Sequence, residues 1–179
     1  MTNRQEFRVL ETFRDFEIRE YQPCVIAEVA VPAEYSEASS RAFSSLFGYI
    51  SSGNKNLEKI SMTAPVISAQ KPNDSGTWYV SFAMPAGSRF ENMPKPNDAK
   101  VILRDLDSEM CVAQSFRGKA SAELSKKMEE QLRAAGAREN LTLSYETRIC
   151  RFDPPFKPGF LQYNEIVIPI SLPLEKSRL

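Results

Sequence analysis

The chain contains no histidine. That absence removes Ser-His-Asp and Cys-His catalytic arrangements and deprives a metal of its commonest nitrogen ligand. Cysteine is scarce. Cys24, Cys111 and Cys150 are widely spaced and no CxxC occurs, so a zinc ribbon, a thioredoxin-like site and a disulfide framework find no support. The three read instead as small apolar residues in strands, within a reducing compartment. Charge of one sign is also missing. Lys plus Arg number 23 and Asp plus Glu number 23, so the basic footprint of a nucleic-acid binder is absent. No apolar run approaches the roughly 20 residues of a membrane span, and the opening MTNRQEFRVL lacks the apolar centre of a secretory leader. No GxxxxGK[ST] or GxGxxG cradle occurs, and the carboxylates are scattered without a pairing pattern. These exclusions predict a cytoplasmic protein with no membrane insertion, no nucleic-acid partner, no metal site and no catalytic residues. A binding module is the natural default over an enzyme.

What remains is an ordinary globular composition of 42% apolar and 26% charged residues in 179 positions. Alternation in FEIREY (16–21) and the β-branched run CVIAEVAVP (24–32) predict strands, and FRVLETF (7–13) reads as a further one. The period then changes. Ala38, Ala42, Phe43, Leu46, Phe47 and Ile50 trace one stripe of a helix over 34–50, with Pro32 ahead of it and Gly53 behind. MTAPVISAQ and TWYVSFAMP follow as strands around the polar turn KPNDSG. The second half repeats the order: strands in KVILRDL and EMCVAQSFRG, a helix over 120–136 stopped by Gly136, then strands in LTLSYETRICRF and YNEIVIPIS. Each half reads strand, strand, helix, strand, strand, over about 7–90 and 98–172, within a single domain 1–179.

Between the last two strands lies the stiff loop DPPFKPGFLQ. Its Phe156 and Phe160 either tuck onto the core or wall a pocket. The join YISSGNKNLEKISMTAPV (49–66) turns a helix end sharply into a strand. A positive φ is needed there, and Gly53 and Asn54 are best able to supply it. Thr63-Ala64-Pro65 then keeps the backbone extended. Around this join the helix offers Phe43, Phe47 and Ile50, and the strands offer Met62, Phe82 and Met84, with Arg41, Lys55 and Lys59 at the rim. Core filling accounts for any one of the apolar residues. As a set, with cations beside them, they would suit an amphipathic ligand bearing carboxylates.

The join resembles the signature of the SOUL haem-binding protein family, through Tyr49-Ile50, Asn54, Lys59-Ile60 and Met62 to Val66. FEIREYQP, YVSFAMP, FRGKAS and NEIVI resemble the family's other recurring stretches in the same order. The resemblance implies an α+β fold: a distorted β-barrel of about eight to nine mostly antiparallel strands with two main helices, built from a pseudo-twofold duplicated unit. It implies non-covalent binding of haem or another tetrapyrrole with weak axial ligation at most, for which Met62, Met84, a tyrosine or a cysteine are open candidates, with the chain acting as carrier, buffer or sensor. The implied site comprises Arg41, Phe43, Phe47, Ile50, Lys59, Met62, Phe82 and Met84, in an apolar groove without histidine ligation. Two departures stand out. The family's turn usually has glycine two residues after the Tyr-Ile pair, where this chain has Ser52. Members that hold iron through histidine cannot be a guide here. A binder of another amphipathic small molecule and an enzyme modifying tetrapyrroles are the rival readings. The final Ser177-Arg178-Leu179 resembles a peroxisomal address, meaningful only in a eukaryotic source.

Overall fold

A computed structural model describes residues 3–71 and 73–171, so the terminal Ser177-Arg178-Leu179 lies outside the described residues. In chain order the strands are β1 (Asn3–Arg4), β2 (Phe7–Thr12), β3 (Glu17–Tyr21) and β4 (Cys24–Val31), then helix α1 (Tyr35–Ile50). There follow β5 (Thr63–Ala64), β6 (Val66–Lys71), β7 (Asp74–Ala83), β8 (Ile102–Leu106) and β9 (Glu109–Arg117). Helix α2 (Ala122–Arg138), β10 (Arg148–Arg151) and β11 (Tyr163–Pro169) close the order. Nine strands form one antiparallel sheet in the order β2-β3-β9-β11-β10-β6-β7-β4-β8, and β1 pairs with β5 in a separate parallel ribbon. The fold is α+β, a curled sheet carrying two helices, as the sequence pattern predicts.

The strand order is symmetric about its centre. Outward from the β10–β6 contact run β11, β9, β3 on one side and β7, β4, β8 on the other. Each half contributes a strand-helix-strand-strand unit. The first strand of each half is exchanged: β3 pairs with β9, and β8 pairs with β4. The exchange laces the halves together along both outer flanks of the sheet.

Alternation along the strands sorts the side chains into layers. Val25, Ala27, Val29 and Val31 of β4, with Val80, Phe82 and then Met84, face α1 and meet its Ala38, Ala42, Leu46, Tyr49 and Ile50. Val112, Phe116, Ile166, Ile168 and Ile149 face α2 and meet its Leu132 and Ala135. Tyr35, at the start of α1, joins this second cluster and packs its ring 4.8 Å from that of Trp78. The opposite sheet face carries a third, smaller cluster of Tyr21, Ile67, Cys111, Ala113, Cys150 and Val167.

Several elements depart from the sequence expectation. The strand expected through LTLSYETRICRF shrinks to Arg148–Arg151. Arg133 of α2 donates to the carbonyls of Ser144 and Tyr145 and to Thr147 Oγ1, tying 144–147 to the helix, while Ser144 N–H donates to Pro169 O at the end of β11. α2 runs past Gly136 to Arg138. Gly136 is not a stop: a Cβ there would sit 3.0 Å from Leu143 Cδ1, so the glycine admits the returning chain. Phe156 and Phe160 neither tuck onto the core nor wall an enclosed pocket, being 87% and 75% exposed. Among the described residues no helix is long and apolar enough to cross a membrane.

Candidate functional site

The site expected from sequence centres on α1. Its inward stripe is narrower than the apolar pattern suggests. Ala38, Ala42, Leu46, Tyr49 and Ile50 are buried, whereas Phe43 and Phe47 lie on one flank, 40% and 47% exposed. One turn apart, their rings stack at 5.6 Å between centroids with planes 11° apart. Phe43 also meets the edge of buried Phe82 at 5.8 Å. The outcome is a flat apolar face held from below by a core aromatic, a shape suited to a planar apolar partner.

The other expected residues separate into three groups. Ile50, Phe82 and Met84 are in the core, below this face. Met62 is 37% exposed, on the segment that leads from the helix end to β5. The cations are dispersed. Arg41 is offset from Phe43 by about 160° and from Phe47 by about 120° around the helix. It pairs with Glu37 one turn back and lines an open cleft with Glu34, Gln70 and Trp78. Lys59 is exposed, and its backbone bridges that of Ser51 at the helix end. The structure therefore brings Phe43, Phe47 and Phe82 together, leaves Lys59 at the helix end and puts Arg41 on the far flank.

The join is fixed by backbone and one side chain. Gly53 N–H donates to Gly48 O at 2.8 Å, closing the six-residue cap of α1. The left-handed position within that cap is Ser52, at φ 99°, and not Gly53 or Asn54 as expected. Gly53 is needed for a different reason: a Cβ there would lie 2.6 Å from Gly48 O. Asn54 is fully buried. Its amide donates to the carbonyls of Tyr49 and Glu58, and its Oδ1 accepts from the N–H groups of Asn56 and Glu58. One side chain thus satisfies four backbone groups of a loop that has no ladder of its own. Tyr49 Oη donates to Pro94 O at 2.9 Å and anchors the helix end from below.

The thiols offer little to iron. Burial pushes Cys111 up to about 12 and raises Cys24 and Cys150 as well, so all three stay protonated at neutral pH. Among the described residues no cluster of three His, Cys, Asp or Glu is placed to hold a metal.

Arg151 also faces the helix side, at the end of β10, and sequence reasoning passed over it. Its strand reads Arg148-Ile149-Cys150-Arg151. The signal was there: alternation puts a cation on the same face as apolar Ile149.

The model of the SOUL heme-binding protein family matches residues 2–169, and the chain belongs to that family. Heme-binding protein 2 of Mus musculus is 30% identical over 122 residues, covering 65% of this chain. The matched stretch spans 58% of that relative, less than two thirds of its length. Among solved structures, the EcmrR C-terminal domain superposes with a TM-score of 0.67 at 10% identity, over 92% of this chain and 98% of that one. A hydrolase from Listeria innocua gives 0.60 at 14% identity, over 90% and 94%. A protein bound to tetraphenylphosphonium gives 0.52 at 12% identity, over 88% and 94%. At these identities the structural likenesses speak for the fold.

Proposed function

We propose that this member of the SOUL family binds haem or a related tetrapyrrole on the Phe43–Phe47 face of α1, without histidine ligation, as a cytosolic carrier or buffer. The observation that carries the reading is the parallel ring pair, which leaves 40% of Phe43 and 47% of Phe47 exposed in the folded chain. Contiguous exposed apolar surface of this kind is where ligand grooves and interaction sites are found. Family membership and the murine relative's name supply the pigment class. Phe43, Phe47 and Met62 would supply apolar contact, while Ile50, Phe82 and Met84 support the face from the core. Lys59 stands near the helix end, and Arg41 belongs to the opposite flank.

Magnitudes favour reversible binding. Covering roughly 300 Å² of pigment face at about 25 cal/mol per Å² yields about 7 kcal/mol before association costs of several kcal/mol. Since about 8 kcal/mol corresponds to 1 μM, the gross figure alone corresponds to roughly 10 μM, and contacts beyond the apolar face must offset the association costs. Such a protein transfers or buffers a pigment better than it retains one permanently.

The test is a haemin titration followed by absorbance, with a thermal-shift panel of haemin, metal-free porphyrin, bilins and unrelated amphiphiles. A shifted haem spectrum saturating at tens of micromolar protein is the expected result. An unchanged free-haem spectrum would overturn the reading. Stabilisation by unrelated amphiphiles alone would turn it towards a general small-molecule sensor, and slow conversion of bound haem towards an enzyme.

A further inference from the structure

Arg151 is opposite Val66 on one side and Asn164 on the other. Val66 in turn is opposite Phe82, whose ring supports Phe43. Arg151 therefore stands two strand spacings, roughly 10 Å, from the backbone beneath the aromatic face. Alternation in β10 directs it to the helix side, since Ile149 joins the cluster under α2 and Cys150 the cluster on the reverse face.

Its surroundings set it apart from Arg19 and Arg148. Arg19 is forked onto Glu165 and also holds Glu17. Arg148 is forked onto Glu109 and also holds Glu146. Arg151 has no carboxylate within ion-pairing distance among the described residues, and its Nε is buried with no hydrogen-bond partner. Two more donors share this condition close by: the buried hydroxyls of Tyr35 in α1 and Ser125 in α2. The two approach each other without closing a hydrogen bond. Burial raises Tyr35 above the ordinary tyrosine range, with the Arg151 guanidinium opposing that rise. The neighbouring Asn164 is already used, donating to Gly118 O at 2.7 Å. Three unpartnered groups lie on three elements around Tyr35, Arg151 Nε able only to donate and the two hydroxyls able to donate or accept, and unpaired buried polar groups are costly. An acceptor with several lone pairs and a negative charge answers all three.

We infer that Arg151, with the hydroxyls of Tyr35 and Ser125, forms a carboxylate-binding site between α1 and α2 that receives the acidic group of an amphipathic ligand lying on the Phe43–Phe47 face. The inference rests on the reading of that face given above and deepens it. It assigns the anion to the sheet between the helices, away from Arg41 and Lys59.

The test compares haemin with its dimethyl ester, which keeps the ring and lacks free carboxylates, in absorbance titrations of the full chain. The wild type is expected to prefer haemin by about tenfold or more, the span of a charged hydrogen bond. Arg151→Met should weaken haemin binding to the level of the ester and leave the ester unchanged. Arg151→Lys should restore part of the preference, and Arg41→Met should alter neither ligand. If Arg151→Met leaves the haemin-to-ester ratio as in the wild type while both still bind, the carboxylate site falls and the pigment face stands. If the wild type binds neither, the pigment face falls. The site is then decided by thermal shift with benzoate, where stabilisation lost in Arg151→Met supports it and no stabilisation overturns it. Melting curves of the variants, expected within a few degrees of the wild type, show that each is folded.

Discussion

α1 and α2 hold equivalent places in the two halves of the sheet, and their inner faces are built alike. Leu46 and Leu132 are both fully buried, each against the strands of its own half. Their outer faces differ. α2 shows water Glu123, Lys126, Lys127, Glu130 and Arg138, and its Arg138 reaches Asp15. α1 shows Phe43 and Phe47. Both halves thus close the core with a buried leucine, while only one has an aromatic outer flank. The difference teaches where to look for binding: a surface that folding does not require, on the copy that departs from its twin.

The largest effects should be those the two helices share. Leu46→Ala and Leu132→Ala should each cost about 2–5 kcal/mol in urea unfolding, the usual range for a fully buried leucine. Comparable losses would show that both halves carry the core. A loss confined to one would break the equivalence on which the comparison stands.

Next come changes that should separate the helices. Phe47→Gln should weaken haemin binding by about 1 kcal/mol, roughly half the worth of burying a whole phenylalanine because about half of Phe47 is already covered, with a small loss in unfolding stability. Lys127→Gln on α2 should alter neither. Equal effects on binding, read by absorbance titration, would show that the aromatic flank has no special part.

Much of this architecture could be read in the chain, and the failures have physical causes. Two helices and the principal strands announced themselves through period, since a sheet or helix face must be apolar wherever it is covered. The margins were less legible. A stripe of period 3.6 locates the covered face but not its edges, so Phe43 and Phe47 read like Leu46, although only Leu46 is enclosed. The same blindness placed Arg41 beside the aromatics, when helical geometry sends it to the opposite flank. Arg151 escaped notice because its significance is negative: it lacks the carboxylate that Arg19 and Arg148 possess. Such a lack becomes visible only when distant strands are brought side by side. The loop at 153–161 was unreadable for a different reason. Its Pro and Gly residues restrict how the chain bends without saying which surface it will meet.

Helix starts give a smaller contrast. Ser121 caps α2, its Oγ accepting from Leu124 N–H at 3.2 Å. Glu34 begins α1 with no side-chain cap. Ser121→Ala should therefore cost about 1 kcal/mol, whereas Glu34→Ala should change unfolding by less than about half of that. An equal loss at Glu34 would mean that the α1 start is capped in solution after all.

The smallest expected effect lies at the helix ends, where the twins again share a design. In both, the N–H two residues beyond the cap closes onto a carbonyl five residues back, Gly53 to Gly48 and Leu141 to Gly136. The residue between must take positive φ, and it is Ser52 at 99° after α1 and Asn140 at 57° after α2. Asparagine tolerates this region better than serine does. Replacing either by glycine relieves about 1–2 kcal/mol of strain at most and costs about 0.5–1 kcal/mol of chain entropy. Ser52→Gly should then stabilise by about 0.5 kcal/mol, and Asn140→Gly by less or not at all. Serine occupies the position where the family resemblance leads one to expect glycine, so a gain at 52 would mark a strain the first helix carries next to its aromatic face. If Asn140→Gly stabilised more than Ser52→Gly in urea unfolding, that strain would belong to the second helix, and the link between departure from the twin and function would lose its support at this position.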